Sequence, residues 1–283
     1  MFQVVEGGGP RYGLVRGDRV IDLTETFTSW PDLLRSATNG ELDGAPTGRE
    51  LPASSVRLLA PVDESCRVFC VALNYLSHIE EVKREIPEAP IIFMVPDTAV
   101  IGPEDAILGL ERCRFLDYEA ELAVVIGATA SKVSQEQAYS VLAGVTLFND
   151  VTARDLMFPN PAKRGIPDWL SAKGLDRSTP IGPHVYRPGR ISDVERCEFF
   201  MDVNGERVQH GRSEDRVFSI PYLVSFLSHR VTLRPGDVIA TGTPTGTGNG
   251  RGVRLAAGDE LVVSSPQIGT LVNRVAAPRP PAP

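Results

Sequence analysis

From Leu122 to Ile126 the chain is apolar without a break, it closes at Gly127, and the residues leading in are acidic: LDYEAELAVVIG. A short apolar run ended by a glycine reads as a buried strand. Side chains alternate across a strand, so Glu119 and Glu121 fall on one face. Two acids abutting a core strand repel each other, and burying both as anions is costly. A divalent cation removes that cost; a solvated strand face is the plainer alternative. Asp150 ends a second apolar stretch, Val145 to Phe148 in GVTLFNDVTARD, and offers a third oxygen ligand. An all-carboxylate set without Cys or His suits Mg²⁺, Mn²⁺ or Ca²⁺ better than zinc.

A chain of 283 residues can bury a full core, as one large domain or one with a small appendage. The net charge is −7 and no Lys/Arg stripe tracks a phosphate backbone, so nucleic acid is not an expected partner. The apolar runs fall well short of the roughly 20 residues of a membrane span, and no membrane partner is expected. The start, MFQVVEGGGPRYG, lacks a basic region followed by an apolar one, so a secretory signal is not expected either. Cys66, Cys70, Cys113 and Cys197 lack C-x-x-C spacing; Cys66 and Cys70 read as small buried hydrophobes in a reducing cytoplasm.

Three segments follow from composition. Residues 1–58 read as a small N-terminal domain of short strands and Gly-rich turns, with a helix around Trp30 to Ser36. The stretch ATNGELDGAPTGRELPASS reads as a loop or linker. From 59 to 275, short apolar strands alternate with Gly/Pro turns. Ser134 is expected to start a helix, with Gln137 three residues on as in a capping box and Gly144 after its apolar end. A second helix is expected from Ser219 to Leu227, with Pro221 in its first turn. LRPGDVI and LAAGDELVV read as turn-then-strand, and the Pro-rich tail 276–283 as disordered. The fold class this implies is a β-rich α+β protein.

Four further places could carry chemistry. In VALNYLSHIEE, a helix starting after Tyr75 brings His78 and Glu81 together at i,i+3. A carboxylate on one ring nitrogen orients the imidazole and lets the other take a proton. An exposed, solvated pair is the bland alternative. Lys173 either points at a substrate oxygen or is solvated. Arg154 is expected to tie down the Asp150 loop through Asp155 or a backbone carbonyl. The Gly/Thr stretch ATGTPTGTGNG, 240–250, lacks the lysine of a phosphate loop and a following helix pattern. It is either a plain turn or a loop offering N–H groups and the Thr241 or Thr243 hydroxyl to a ligand.

Six blocks in order, NYxxHxxE, DYExEL, NDVTARD, AKGxDxxxPIGP, NGxxxQ and LxPGDVIxTGTPxGxG, resemble the fumarylacetoacetate hydrolase family, from about residue 60 to 275. The resemblance implies a β-sandwich roll with short flanking helices, preceded by a small N-terminal domain, and commonly a homodimer. It implies a metal, Mg²⁺ first with Mn²⁺ or Ca²⁺ as alternatives, held by Glu119, Glu121 and Asp150. It also implies a His78–Glu81 dyad, an active-site Lys173, and substrate contacts from Thr243, Gly242 and Tyr75. The implied activity is hydrolysis of a C–C bond in an acylpyruvate-like 1,3-dicarbonyl through a metal-stabilised enolate. Decarboxylation, isomerisation or hydration of a 2-keto or 2-hydroxydienoate acid uses the same site, and a non-catalytic binding protein is the reading from another class. This chain departs from the family pattern at Val95, where relatives often carry lysine, at Met157, where many carry glutamine, and at Ala72 in place of glycine. Two apolar residues at pocket positions imply a larger or less charged substrate than oxaloacetate.

Overall fold

The computed structural model describes every residue except 6, 7, 43, 45, 47, 159–164 and 279–283. The strand Ala120–Ile126 is buried at every position. So is its antiparallel neighbour Leu142–Asn149. They sit inside a seven-stranded sheet ordered Ile91–Val95, Val68–Ala72, Val238–Ala240, Ala120–Ile126, Leu142–Asn149, Thr179–Tyr186, Val100–Ile101.

Strands buried on both faces need a packed layer on each side. On one side Leu122, Val124, Val145 and Leu147 share a core with Phe199, Met201, Leu261 and Val263 of a five-stranded sheet. On the other, Ala123, Val125 and Phe148 meet Ile21, Leu23, Trp30, Leu33 and Leu34 from the N-terminal segment. Even-numbered residues of one strand thus serve one core and odd-numbered residues the other. The strand Glu260–Ser265 of the second sheet alternates between buried and half-buried residues, as expected of an outer layer.

The N-terminal segment carries a three-stranded sheet, Gly13–Arg16, Arg19–Asp22 and Arg49–Pro52, and Phe2–Val4 pairs with Val56–Leu58. Among the described residues the α-helices are α1 (Trp30–Thr38), α2 (Leu76–Glu81), α3 (Trp169–Lys173), α4 (Ile220–Ser228) and α5 (Gly248–Arg251), all short. In α1 and α4 a serine before the helix accepts a backbone N–H, Ser29 from Asp32 and Ser219 from Tyr222, and proline sits in the first turn.

The β-rich α+β expectation holds, as do α1, α4 and the two turn-then-strand segments. Three local expectations fail. Gln137 does reach back to the Ser134 N–H at 3.0 Å, but only a 3-10 turn, Ala138–Val141, follows. Gly144 lies inside the strand Leu142–Asn149; a Cβ there would stand 2.3 Å from the Tyr186 carbonyl oxygen, so strand pairing and not a helix end requires the glycine. The expected linker contains the strand Arg49–Pro52, held by pairing with Arg19–Asp22. Of the expected disordered tail, 279–283 lie outside the described residues. Among the described residues no helix is long and apolar enough to cross a membrane.

Candidate active site

Strand register brings the three acids together. Ala120 pairs with Asn149 and Glu121 with Phe148, so one step further Glu119 stands opposite Asp150, whose N–H donates to the Glu119 carbonyl at 2.8 Å. Residues opposite one another share a face. One carboxylate oxygen from each of Glu119, Glu121 and Asp150 lies within 4.8 Å of the others, and all three residues are buried. This convergence spans a gap in sequence that period-two alternation alone does not bridge.

Two cations face the acids. Lys173, at the last turn of α3, donates to Glu119 at 2.7 Å and to Asp150 Oδ2 and O at 2.6 and 3.2 Å. Arg154 donates to Asp117 at 2.7 Å and also to Glu119. It does not pair with Asp155, whose carboxylate instead accepts the Arg114 and Phe115 N–H groups. Burial opposes the charge on Glu119, but Lys173 and Arg154 outweigh it and bring its carboxyl down to about 2. Burial pushes Asp150 up to about 6, with Lys173 pulling the other way. Burial, with Asp150 and Glu119 beside it, holds Glu121 well above the usual carboxylate range.

Asp117, Glu119, Glu121 and Asp150 are buried, and among the described residues only Lys173 and Arg154 pair with them. If all four were ionised, as a metal site requires, four carboxylates against two cations would leave a deficit of two positive charges. Among the described residues Glu121 has no cation partner, and Asp150 Oδ1 is buried with no hydrogen-bond partner. A hard dication fits both facts: its charge closes the deficit, and an oxygen-only set is what such ions take.

A cavity of about 970 Å³ opens over this cluster, lined by His78, Glu119, Glu121, Asp150, Lys173 and Thr243. Phe93, Met157 and Trp169 form an apolar wall, with the Phe93 and Trp169 rings stacked at 4.6 Å. His78 Nδ1 lies 2.9 Å from Glu81 Oε2 on helix α2. An ionised carboxylate only accepts, so Nδ1 carries a proton, and in the neutral ring Nε2 is then the nitrogen with the lone pair.

Several expected contacts lie elsewhere. Val95 does not line the cavity: this strand reaches the wall through Ile91 and Phe93, while Val95 pairs with Val68 and packs in the core. Half of the case for a less charged substrate therefore falls, and only Met157 remains on the wall. Tyr75 is fully buried against Phe199, away from the cavity. The Gly242 N–H is spent on Glu121 at 2.7 Å, and the Thr241 hydroxyl on the Leu122 carbonyl at 2.7 Å. The Thr243 hydroxyl donates to the Ala120 carbonyl at 2.8 Å and accepts from Gln209 at 2.9 Å.

Against this geometry, the chain matches the family description "Fumarylacetoacetate (FAA) hydrolase C-terminal" over residues 67–276. It belongs to the fumarylacetoacetate hydrolase family. Residues 2–61 match a second description, "Rv2993c-like, N-terminal". Oxaloacetate tautomerase FAHD2B, mitochondrial, of Bos taurus is 34% identical over 97% of this chain and 90% of its own length. A crystal structure titled as a putative HpcE protein from Mycobacterium smegmatis superposes with a TM-score of 0.83 at 31% identity, covering 97% of this chain and 98% of that one. A structure titled 5-carboxymethyl-2-hydroxymuconate delta-isomerase, also from Mycobacterium smegmatis, gives 0.69 at 37% identity over 81% and 86%. The small N-terminal unit and the sandwich of sheets are thus the fold of this family.

Sequence reasoning overlooked three site residues. Asp117 accepts from Arg154 and from the Gly248 and Asn249 N–H groups, at 2.7 and 3.1 Å for the latter two. Gln209 crosses from the second sheet and ties Thr243 and the Pro244 carbonyl to the Ala120 N–H. Trp169 closes the aromatic wall. Asp117 and Gln209 both stood inside quoted blocks, and their buried polar side chains were the available signal.

Proposed function

We propose that the chain is a metal-dependent enzyme that moves a proton between carbon and oxygen in a 2-oxo acid, a keto–enol tautomerase or isomerase. The observation that carries this reading is the His78–Glu81 pair, one ring nitrogen fixed at 2.9 Å and the ring lining the same cavity as the three acids. Glu119, Glu121 and Asp150 would hold the ion, which when bound supplies Lewis acidity toward the substrate's oxygens. His78 Nε2 takes a proton from the carbon beside the carbonyl, and the C–H electron pair moves toward oxygen. The imidazolium, stabilised by Glu81, then returns its proton to oxygen; the reverse direction uses the same atoms. Lys173, with its N–H groups spent on Glu119 and Asp150, fixes those two carboxylates. Phe93, Trp169 and Met157 exclude water from one side. The tautomerase and isomerase named among the similar proteins support this order of preference.

Hydrolytic C–C cleavage of an acylpyruvate is the second reading, favoured by the family match and by a cavity roomy enough for water beside substrate. There His78 would take its proton from water. One experiment separates them: enolic oxaloacetate and an acylpyruvate are supplied with Mg²⁺, ultraviolet absorbance follows the enol, and chromatography follows pyruvate. Enol decay without cleavage is expected. Pyruvate release from the acylpyruvate selects hydrolysis, and inertness toward both removes the enzyme reading. The same proposal takes Mg²⁺ as the resident ion, which metal analysis of the purified protein tests, and the chain as a cytoplasmic homodimer, whose mass light scattering tests.

A further inference from the structure

The second half of the Gly/Thr loop that follows the strand Val238–Ala240, Thr245 to Thr247, spends its groups on one side chain. Glu81 Oε1 accepts from the Thr245 hydroxyl at 2.9 Å and from the Gly246 N–H at 2.7 Å. Its Oε2 accepts from the Thr247 hydroxyl at 3.0 Å and from His78 Nδ1 at 2.9 Å. A carboxylate has about four lone-pair sites, so Glu81 is saturated and cannot turn without losing a bond. The Ser77 hydroxyl also accepts the Thr245 N–H at 3.2 Å, a second tie between α2 and the loop.

Ile79 anchors the helix in the interior, but its first turn is poorly held. The helix is six residues long, and Tyr75 gives it no side-chain cap. Isolated helices shorter than about 12 residues are marginal in water. Two glycines make the close approach possible. At Gly246, φ is +97° and a Cβ would stand 2.0 Å from the Val208 carbonyl oxygen; at Gly250 a Cβ would stand 2.1 Å from Glu81 Oε1.

We propose that Thr245, Gly246 and Thr247 are positioning residues: they clasp Glu81, and through it they set the orientation and tautomer of His78. The loop acts on the proton carrier at one remove and does not touch substrate through these groups. This rests on the reading of His78 as the proton carrier.

The test is the double variant Thr245→Val/Thr247→Val, which keeps the side-chain shape and removes both hydroxyl donors. Turnover is expected to fall about 10- to 100-fold, the loss typical of a misplaced catalytic group, with KM changed less than about threefold. Thr245→Ser/Thr247→Ser, which keeps the hydroxyls, is expected to restore most of it. Full turnover in the valine variant overturns the proposal. So does a joint fall of turnover and melting temperature that serine fails to rescue, because that is a merely structural role. The chain has four histidines, so ¹⁵N-histidine NMR resolves His78 once a His78→Gln spectrum assigns it. The valine variant should move His78 from a single Nδ1–H tautomer to an averaged mixture, and an unchanged signal overturns the clasp without reference to activity. If the double variant does not fold, Thr247→Val alone carries both measurements. A fully active His78→Ala enzyme would defeat the proton-carrier reading while leaving the NMR result to judge the clasp.

Discussion

Glu81 and Glu121 hang from the same loop and are provisioned in opposite ways. Glu81 accepts four hydrogen bonds, from Thr245, Gly246, Thr247 and His78, and its carboxyl sits below the usual range because those bonds outweigh its partial burial. Glu121 is buried, accepts one N–H from Gly242, and has no cation partner among the described residues. One carboxylate is finished by the fold; the other is left short. Buried polar groups are normally satisfied, so an unfinished set marks where something outside the chain completes it.

Turnover offers the largest way to break this contrast. If Glu81 serves His78 and Glu121 serves the ion, His78→Ala should lower turnover by about 10²–10⁴ while leaving Mg²⁺-induced stabilisation intact. Steady-state kinetics and a melting curve with and without Mg²⁺ measure both. Loss of the Mg²⁺ response in that variant would mean the two halves are not separable.

Next in size is Lys173. Removing one partner of a buried ion pair destabilises by about 3–5 kcal/mol. Lys173→Met should therefore weaken the metal-stripped protein by that order in a urea titration, and added Mg²⁺ should recover part of the loss. A neutral outcome would show that the acids are already protonated.

The unfinished side also predicts a pH dependence. Burial pushes the Asp150 carboxyl up to about 6 in the folded protein, from about 3.8 in an unfolded chain. Between those values the native state binds more protons than the unfolded one, so stability falls as pH rises through the window. Glu121 is shifted in the same direction. Glu119, brought down to about 2, works oppositely, but only in more acid solution, where its contribution is lost as pH falls. A bound dication cancels the penalty on the anions. Mg²⁺ at about 100 times its dissociation constant adds about 2.7 kcal/mol, and the gain in melting temperature should be larger at pH 7.5 than at pH 5. Glu121→Gln should abolish most of that gain. Equal gains at both pH values would place the ion elsewhere.

What was legible in the sequence follows the same division. Alternation put Glu119 and Glu121 on one face, and i,i+3 spacing paired His78 with Glu81, because both are short-range periodicities. The partners of Arg154 were missed because Asp155 was the nearest acid in sequence, whereas Asp117 and Glu119 arrive through the antiparallel pairing of Leu116–Asp117 with Thr152–Ala153. Ser134 and Gln137 carry a true local capping signal, yet the all-buried strand that follows claims the chain. Val95 was placed on the pocket wall by analogy of position; the register of its strand puts it two residues beyond the wall. The Gly/Thr loop reads either as a plain turn or as offering Thr241 or Thr243 to a ligand; those two hydroxyls bond the Leu122 and Ala120 carbonyls, and Thr245 to Thr247 bond Glu81.

The smallest effect concerns the far end of α2. Lys83 follows the helix with φ +53°, and the Lys83 and Arg84 N–H groups donate to the Glu80 and Ile79 carbonyls, both at 3.1 Å. Glycine is the usual residue at such a helix end. A left-handed conformation costs a non-glycine residue about 1–2 kcal/mol, and glycine returns about 0.5–1 kcal/mol of that as extra unfolded-state entropy. Lys83→Gly should therefore stabilise the protein by between about 0 and 1.5 kcal/mol, read as at most a small rise in the urea midpoint. Because Glu81 is gripped by the loop and not by the helix end, turnover should hold. Lys83 lines the cavity, so a several-fold rise in KM with unchanged kcat would instead show that the ammonium meets substrate directly, and a fall in kcat alone would show that the helix end shares the work assigned to the clasp.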